Sequence, residues 1–172
     1  SMGTEQWFRN YRGASGSSYG WSVKQTPDKG FYIAGNTNYF GQGEMDVLLI
    51  RTDSAGNSQW AKTYGGAGWD YGYEMQITQY GGVIIAGTTS SFGAGGDDMY
   101  LINTDELGNI LWSKTYGALG DEEAFSVIQS IDGGYMLAGS TTSFGGGGKD
   151  FYLVKTDRYG NTSCNTEPGA TI

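Results

Sequence analysis

Two stretches of the chain are apolar at every position, Val83-Ile84-Ile85-Ala86 and Met99-Tyr100-Leu101-Ile102. Continuous rather than alternating apolar character means burial on both faces, and runs this short between turn signals suit strands. The pattern predicts strands over 83–86 and 99–104, and likewise over 31–34, 47–52, 135–138 and 151–156. A more polar strand is predicted ahead of each pair, over 22–26, 74–78 and 126–130. Tight turns join it to the next: Asp28-Lys29-Gly30, Tyr80-Gly81-Gly82 and Asp132-Gly133-Gly134. Behind each pair an Asp-x-x-Gly-Asn turn leads toward a fourth strand, which carries Trp60 or Trp112.

The pattern is a repeat. "SFGAGGDDMYLINTDELGN" at 91–109 returns as "SFGGGGKDFYLVKTDRYGN" at 143–161, and an earlier copy occupies 39–57. Phe40, Phe92 and Phe144 keep a shift of 52 residues, and 60–111 and 112–163 share 23 identities without gaps. A four-stranded meander of about 50 residues with both faces covered is a β-propeller blade, close in length to a kelch repeat. A β-sandwich would call for alternation and no fixed period. The expected fold is all-β, a β-propeller with three four-stranded blades over about 14–66, 67–118 and 119–163. With an N-terminal strand at 4–13 these make one domain, 4–163; residues 1–3 read as a tag remnant and 164–172 as a tail.

The ends of the pattern are complementary. "GTEQWFRNYRG" matches the fourth strand "GNSQWAKTYGG", aligning Gly3 with Gly56, Gln6 with Gln59, Trp7 with Trp60 and Tyr11 with Tyr64. In the last unit the pattern fails at Cys164, where a Trp is due. The first strand thus belongs to no preceding blade, and the last blade lacks its outer strand. Three blades fall below the four to eight of closed propellers. The outer faces of the end blades are also apolar, not capped as an open array requires. Leaving four to six such side chains bare at roughly 1.5–3 kcal/mol each costs on the order of 10 kcal/mol per face. The expectation is a homodimer: two chains close a six-bladed ring by exchanging N-terminal strands, in "velcro" fashion, through Trp7, Phe8, Tyr11, Phe151 and Leu153. A fragment of a longer propeller is the alternative.

The unit W-x-K-T-Y-G-G … D-G-G … S-F-G-x-G … T-D-x-x-G-N resembles the tandem β-propeller repeats of bacterial and archaeal secreted proteins and lipoproteins, from Trp7 to Asn161. The resemblance implies the fold and an extracellular or cell-surface location; it carries over no catalytic residue. Departures are Tyr80 in place of Asp, Ala118 in place of the second Gly, and Cys164 in place of Trp.

Composition narrows the chemistry. The 172 residues carry a net charge of −8, which argues against nucleic acid and anionic membranes. Aliphatic runs such as Val47-Leu48-Leu49-Ile50 are too short to cross a bilayer. There is no His, which removes Ser-His-Asp and Cys-His catalysis, and a single Cys permits no internal disulfide. No metal or other cofactor is expected. Asp46, Asp98 and Asp150, and Asp53, Asp105 and Asp157, recur in every unit and read as structural turn acids.

In a four-strand meander the second-to-third loops and the inter-blade links share one end, and both are longer here than the other turns. That end carries the ligand candidates. Trp69, Asp70 and Tyr71 set aromatic rings beside a carboxylate, suited to stacking on a sugar, with Tyr39 on the same face; the alternative is packing between blades and turn capping. Asp121, Glu122 and Glu123 could bind Ca²⁺ through their oxygens or act as paired carboxylates in glycoside hydrolysis, the enzyme being least favoured; the blander alternative is a solvated loop. The expected function is a non-enzymatic module that binds a glycan or protein partner, with a purely structural or self-assembly role as the alternative.

Overall fold

The computed structural model describes residues 7–11 and 13–163. The expectations for residues 1–3, Gly3, Gln6, Cys164 and the 164–172 tail lie outside these residues. Eleven antiparallel strands form three sheets, and no helix occurs among the described residues. The first sheet runs β1 (Ser18–Gln25), β2 (Phe31–Thr37), β3 (Asp46–Thr52), β4 (Ser58–Tyr64). The second runs β5 (Asp70–Ile77), β6 (Val83–Thr89), β7 (Asp98–Thr104), β8 (Ile110–Tyr116). The third has β9 (Glu122–Gln129), β10 (Tyr135–Thr141) and β11 (Asp150–Thr156), with β10 in the middle.

Each sheet is a meander because its turns are locally determined. Asp53 Oδ1 accepts the backbone N–H groups of Ala55 and Asn57, and Asp105 and Asp157 repeat the arrangement. Gly56, Gly108 and Gly160 then take φ of 73° to 75°, where a β-carbon is disfavoured. At the opposite end of the third strands, Asp98 and Asp150 accept N–H bonds from Ala94 and Gly146 of the preceding Gly loops. Asp53, Asp98, Asp105, Asp150 and Asp157 thus each accept backbone N–H bonds from their own turn or loop.

The first strands begin four residues earlier than the apolar pattern predicted. The pairing register slips between Gly20 and Ser22, between Gly72 and Glu74, and opposite Ala138 and Gly139. Trp21, Tyr73 and Phe125 are the residues stepped over. Such a bulge reverses the in–out alternation, so the pattern read from the far side of it stops short. Asp70, Tyr71, Glu122 and Glu123 therefore lie in strands rather than in loops.

The sheets pack face to face at equivalent positions. Ala34, Val47 and Leu49 meet Met75, Val83 and Ile85 between the first and second sheets. Ala86, Met99 and Leu101 meet Val127, Tyr135 and Leu137 between the second and third. The middle sheet is buried on both sides, as its sequence predicted. In the third sheet that expectation fails: β10 and β11 alternate between covered and open positions because no sheet packs on one side. Leu153 is 54% exposed where Leu49 and Leu101 are 0% exposed, and Phe151 is 76% exposed where Val47 and Met99 are buried. At the other end Val23 is 60% exposed, where Met75 is 0% and Val127 1%.

A tyrosine clip crosses each junction. Tyr64 Oη donates to the carbonyl of Gly108 in the next sheet (2.8 Å), and Tyr116 Oη to that of Gly160 (2.8 Å). The side chains of Trp60 and Trp112 lie over the same glycines. The N-terminal segment makes the same contacts without any strand pairing: Tyr11 Oη donates to Gly56 (2.7 Å) and Trp7 lies over that glycine. Residues 7–11 thus stand to the first sheet as β4 stands to the second.

Candidate functional site

The longer loops do converge. The link between the first two sheets docks on the 90–97 loop, where Trp69 N–H donates to Ser90 Oγ (2.8 Å) and Gly68 N–H to Ser91 Oγ (2.9 Å). The next link repeats this: Gly120 N–H donates to Ser143 Oγ (2.8 Å) and Asp121 N–H to Thr142 Oγ1 (2.7 Å). Links and loops therefore share one end of the sheets, where all the ligand candidates stand.

Of these candidates, Asp70 and Glu122 are fully buried. Asp70 Oδ2 accepts from Gly66 N–H (2.9 Å) and Ser91 Oγ (2.6 Å). Glu122 accepts from Ala118 N–H (2.8 Å), Ser143 N–H (3.2 Å) and Thr141 Oγ1 (2.5 Å). They brace the inter-sheet links. Each also faces a turn acid across a glycine: a β-carbon on Gly65 would lie 2.3 Å from Asp46 Oδ1 and 2.6 Å from Asp70 Oδ2. Gly117 separates Asp98 and Glu122 in the same way. Burial, then the Asp70 charge, push the Asp46 carboxyl up to about 6. Burial likewise raises Asp98, with Glu122 adding to it. Burial works against ionised Glu122 too, but its hydrogen bonds outweigh that and hold it below its ordinary value.

The other candidates are accessible. Trp69 is exposed, and Tyr71 and Glu123 are half-buried. Trp69 and Tyr71 stack at 6.1 Å with 13° between planes, and Tyr71 and Tyr73 at 6.0 Å with 3°. Tyr73 in turn meets Trp21 at 5.9 Å and Phe125 at 5.6 Å, so rings from all three sheets form one surface along their first strands, β1, β5 and β9. The sequence reading missed Trp21, Tyr73 and Phe125; their shared 52-residue spacing is the signal that was there to find. Tyr39 lies apart from this surface, edge-on to Phe40 at 4.3 Å.

Carboxylates border the aromatic surface. Asp97 N–H donates to Asp121 Oδ1 (3.2 Å), and Lys149 forms an ion pair with Glu123. Burial raises the Asp97 carboxyl, with the charges of Asp121 and Glu123 adding and Lys149 opposing. Burial, then the Glu123 charge, push the Tyr73 hydroxyl up to about 12, with smaller contributions from Tyr71 and Asp97. Farther along β1 and β5 Lys24 pairs with Glu74 (2.9 Å). Among the described residues, no group of three or more His, Cys, Asp or Glu is gathered closely enough to hold a metal ion. No helix among them is long and apolar enough to cross a membrane.

No protein-family model matches the chain. It is similar to the regulatory protein FlaEY of Caulobacter vibrioides, with 27% identity over 151 residues, covering 78% of this chain and 15% of that protein.

Proposed function

We propose that the three sheets are blades of a β-propeller, that two chains close one six-bladed ring, and that the ring is a non-enzymatic binding module. The observation that carries this reading is the seat of residues 7–11. Tyr11 and Trp7 grip Gly56 as Tyr64 and Trp60 grip Gly108, in the place that the fourth strand of a neighbouring blade would take. In the ring they form the outer strand of a partner's third blade, pairing along β11. The faces left open match: Ala138, Phe151 and Leu153 repeat the positions that Ala34, Val47 and Leu49 use at the first junction, and Val23, Phe31 and Ile33 repeat Met75, Val83 and Ile85. A twofold ring makes the two new junctions identical and leaves neither face bare.

The ligand, a glycan or a protein partner, is met on the long-loop end around Trp69 and Tyr71. A hydrolase reading has less support, because Asp70 and Glu122 are committed to bracing the links. The resemblance to secreted propellers supports an extracellular or cell-surface site of action. The test is the solution mass by light scattering across dilution. A mass of two chains is expected, reverting to one chain in Leu153→Asp; a cooperative, stably folded monomer of the unaltered chain refutes ring closure.

A further inference from the structure

The aromatic surface and its border differ from the rest of the molecule in not repeating. Units 52 residues apart share 23 identities between 60–111 and 112–163, yet Trp69 and Tyr71 of the second unit correspond to Asp121 and Glu123 of the third. The fold does not dictate either pair, since one position accepts both. The result is an aromatic pair in one unit next to an acidic pair in the following one. Asp97 lies between them, hydrogen-bonded to Asp121 and close enough to Glu123 and Lys149 to feel both charges.

We propose that this surface binds an organic cation, an alkylated or quaternary ammonium group, seated on Tyr71 and Trp69 and held by Asp97, Asp121 and Glu123. The inference deepens the binding-module reading and rests on it. Ring faces carry negative quadrupole potential and attract diffuse cations, most strongly where water is partly excluded. Charge complementarity selects this occupant. Three carboxylates stand against the single ammonium of Lys149, so the site keeps an excess of negative charge in a chain whose net charge is −8. A neutral sugar would stack on the same rings but leave that excess uncompensated. Ca²⁺ takes about six to eight oxygen ligands, and among the described residues no three Asp or Glu side chains gather closely enough to begin such a set. Burial, then the Asp97 charge, raise the Tyr71 hydroxyl, as burial and then Glu123 raise that of Tyr73, so rings and carboxylates stand near one another for an alkylammonium to meet both.

The test is a titration of the full chain with choline and with its neutral isostere 3,3-dimethylbutan-1-ol, read by tryptophan fluorescence and calorimetry. Choline is expected to bind about tenfold more tightly than the isostere, the factor that a cation–π contact of ordinary strength supplies. Asp97→Asn and Tyr71→Leu are each expected to weaken choline severalfold while leaving the melting temperature of Asp97→Asn near that of the parent. Raised salt should weaken choline and spare the isostere. Equal binding of the two overturns the cation inference and leaves a plain apolar shelf. So does no choline binding in the millimolar range; if an oligosaccharide panel then binds, the binding module survives and only the ligand class fails. Every residue invoked belongs to one chain, so light scattering on the same samples judges ring closure separately.

Discussion

Replacing Asp46 with Asn should make the protein more stable at pH 8 and leave it almost unchanged at pH 4. Asp46 is buried and faces Asp70 across Gly65, and Asp70 Oδ1 has no hydrogen-bond partner. Its pKa rises from 3.8 to about 6 in the fold. At about 1.4 kcal/mol per pKa unit, the ionised carboxylate is disfavoured in the native state by about 3 kcal/mol. The sign follows from proton binding. A carboxyl whose folded pKa is raised holds its proton more tightly when folded, so its contribution is favourable below about pH 4 and is lost as pH rises through 6. Asn cannot ionise, and its amide offers a donor beside Asp70. For a chain of this size 3 kcal/mol corresponds to about 6–12 °C in melting temperature. Thermal unfolding of parent and D46N at pH 4 and pH 8 gives the comparison directly. An equal difference at both pH values, or a loss at pH 8, would refute the argument.

Tyr64→Phe removes the donor to the buried Gly108 carbonyl and should cost about 1–3 kcal/mol in chemical denaturation, with the sheets otherwise intact. Gly108→Ala should cost at least as much, because its φ of 73° is strained for alanine and the new β-carbon would lie 2.7 Å from the Trp60 ring; circular dichroism melts would report it. Leu153→Asp puts a charge into both junctions of the proposed ring. At about 2 kcal/mol each it should raise the dimer dissociation constant by roughly a thousandfold, read by sedimentation, and lower the melting temperature, because the released monomer bares both apolar faces. Glu122→Gln should destabilise most above pH 5 and least in acid, the opposite of Asp46, because the hydrogen bonds that lower its pKa favour the ionised form.

The strands and turns were legible because they rest on local chemistry. Runs such as Val83-Ile84-Ile85-Ala86 and turns such as Asp105-x-x-Gly108-Asn109 need only their own residues to specify them. The outer positions of the third unit were not, since Leu153 and Leu101 look alike in sequence and differ only in whether a neighbour arrives. At the site, Trp69 and Tyr71 could be placed on the right end from connectivity alone. Asp70 and Glu122 could not be separated from Asp121 and Glu123, because adjacent acids look equivalent until a strand alternates them. The bulge hid Trp21, Tyr73 and Phe125 for the same reason: one extra residue exchanges the two faces.

The tyrosine clip has a consequence for how such a chain can change length in evolution. The first two units each carry both halves of the joint, Tyr64 with the Gly56 carbonyl and Tyr116 with the Gly108 carbonyl, and present them to different neighbours. A unit duplicated in frame therefore arrives with a ready-made fitting at each side, and its insertion calls for no compensating change elsewhere. Gain or loss of whole units by recombination leaves every internal joint as good as before. Selection then has only the ends of the array to reconcile.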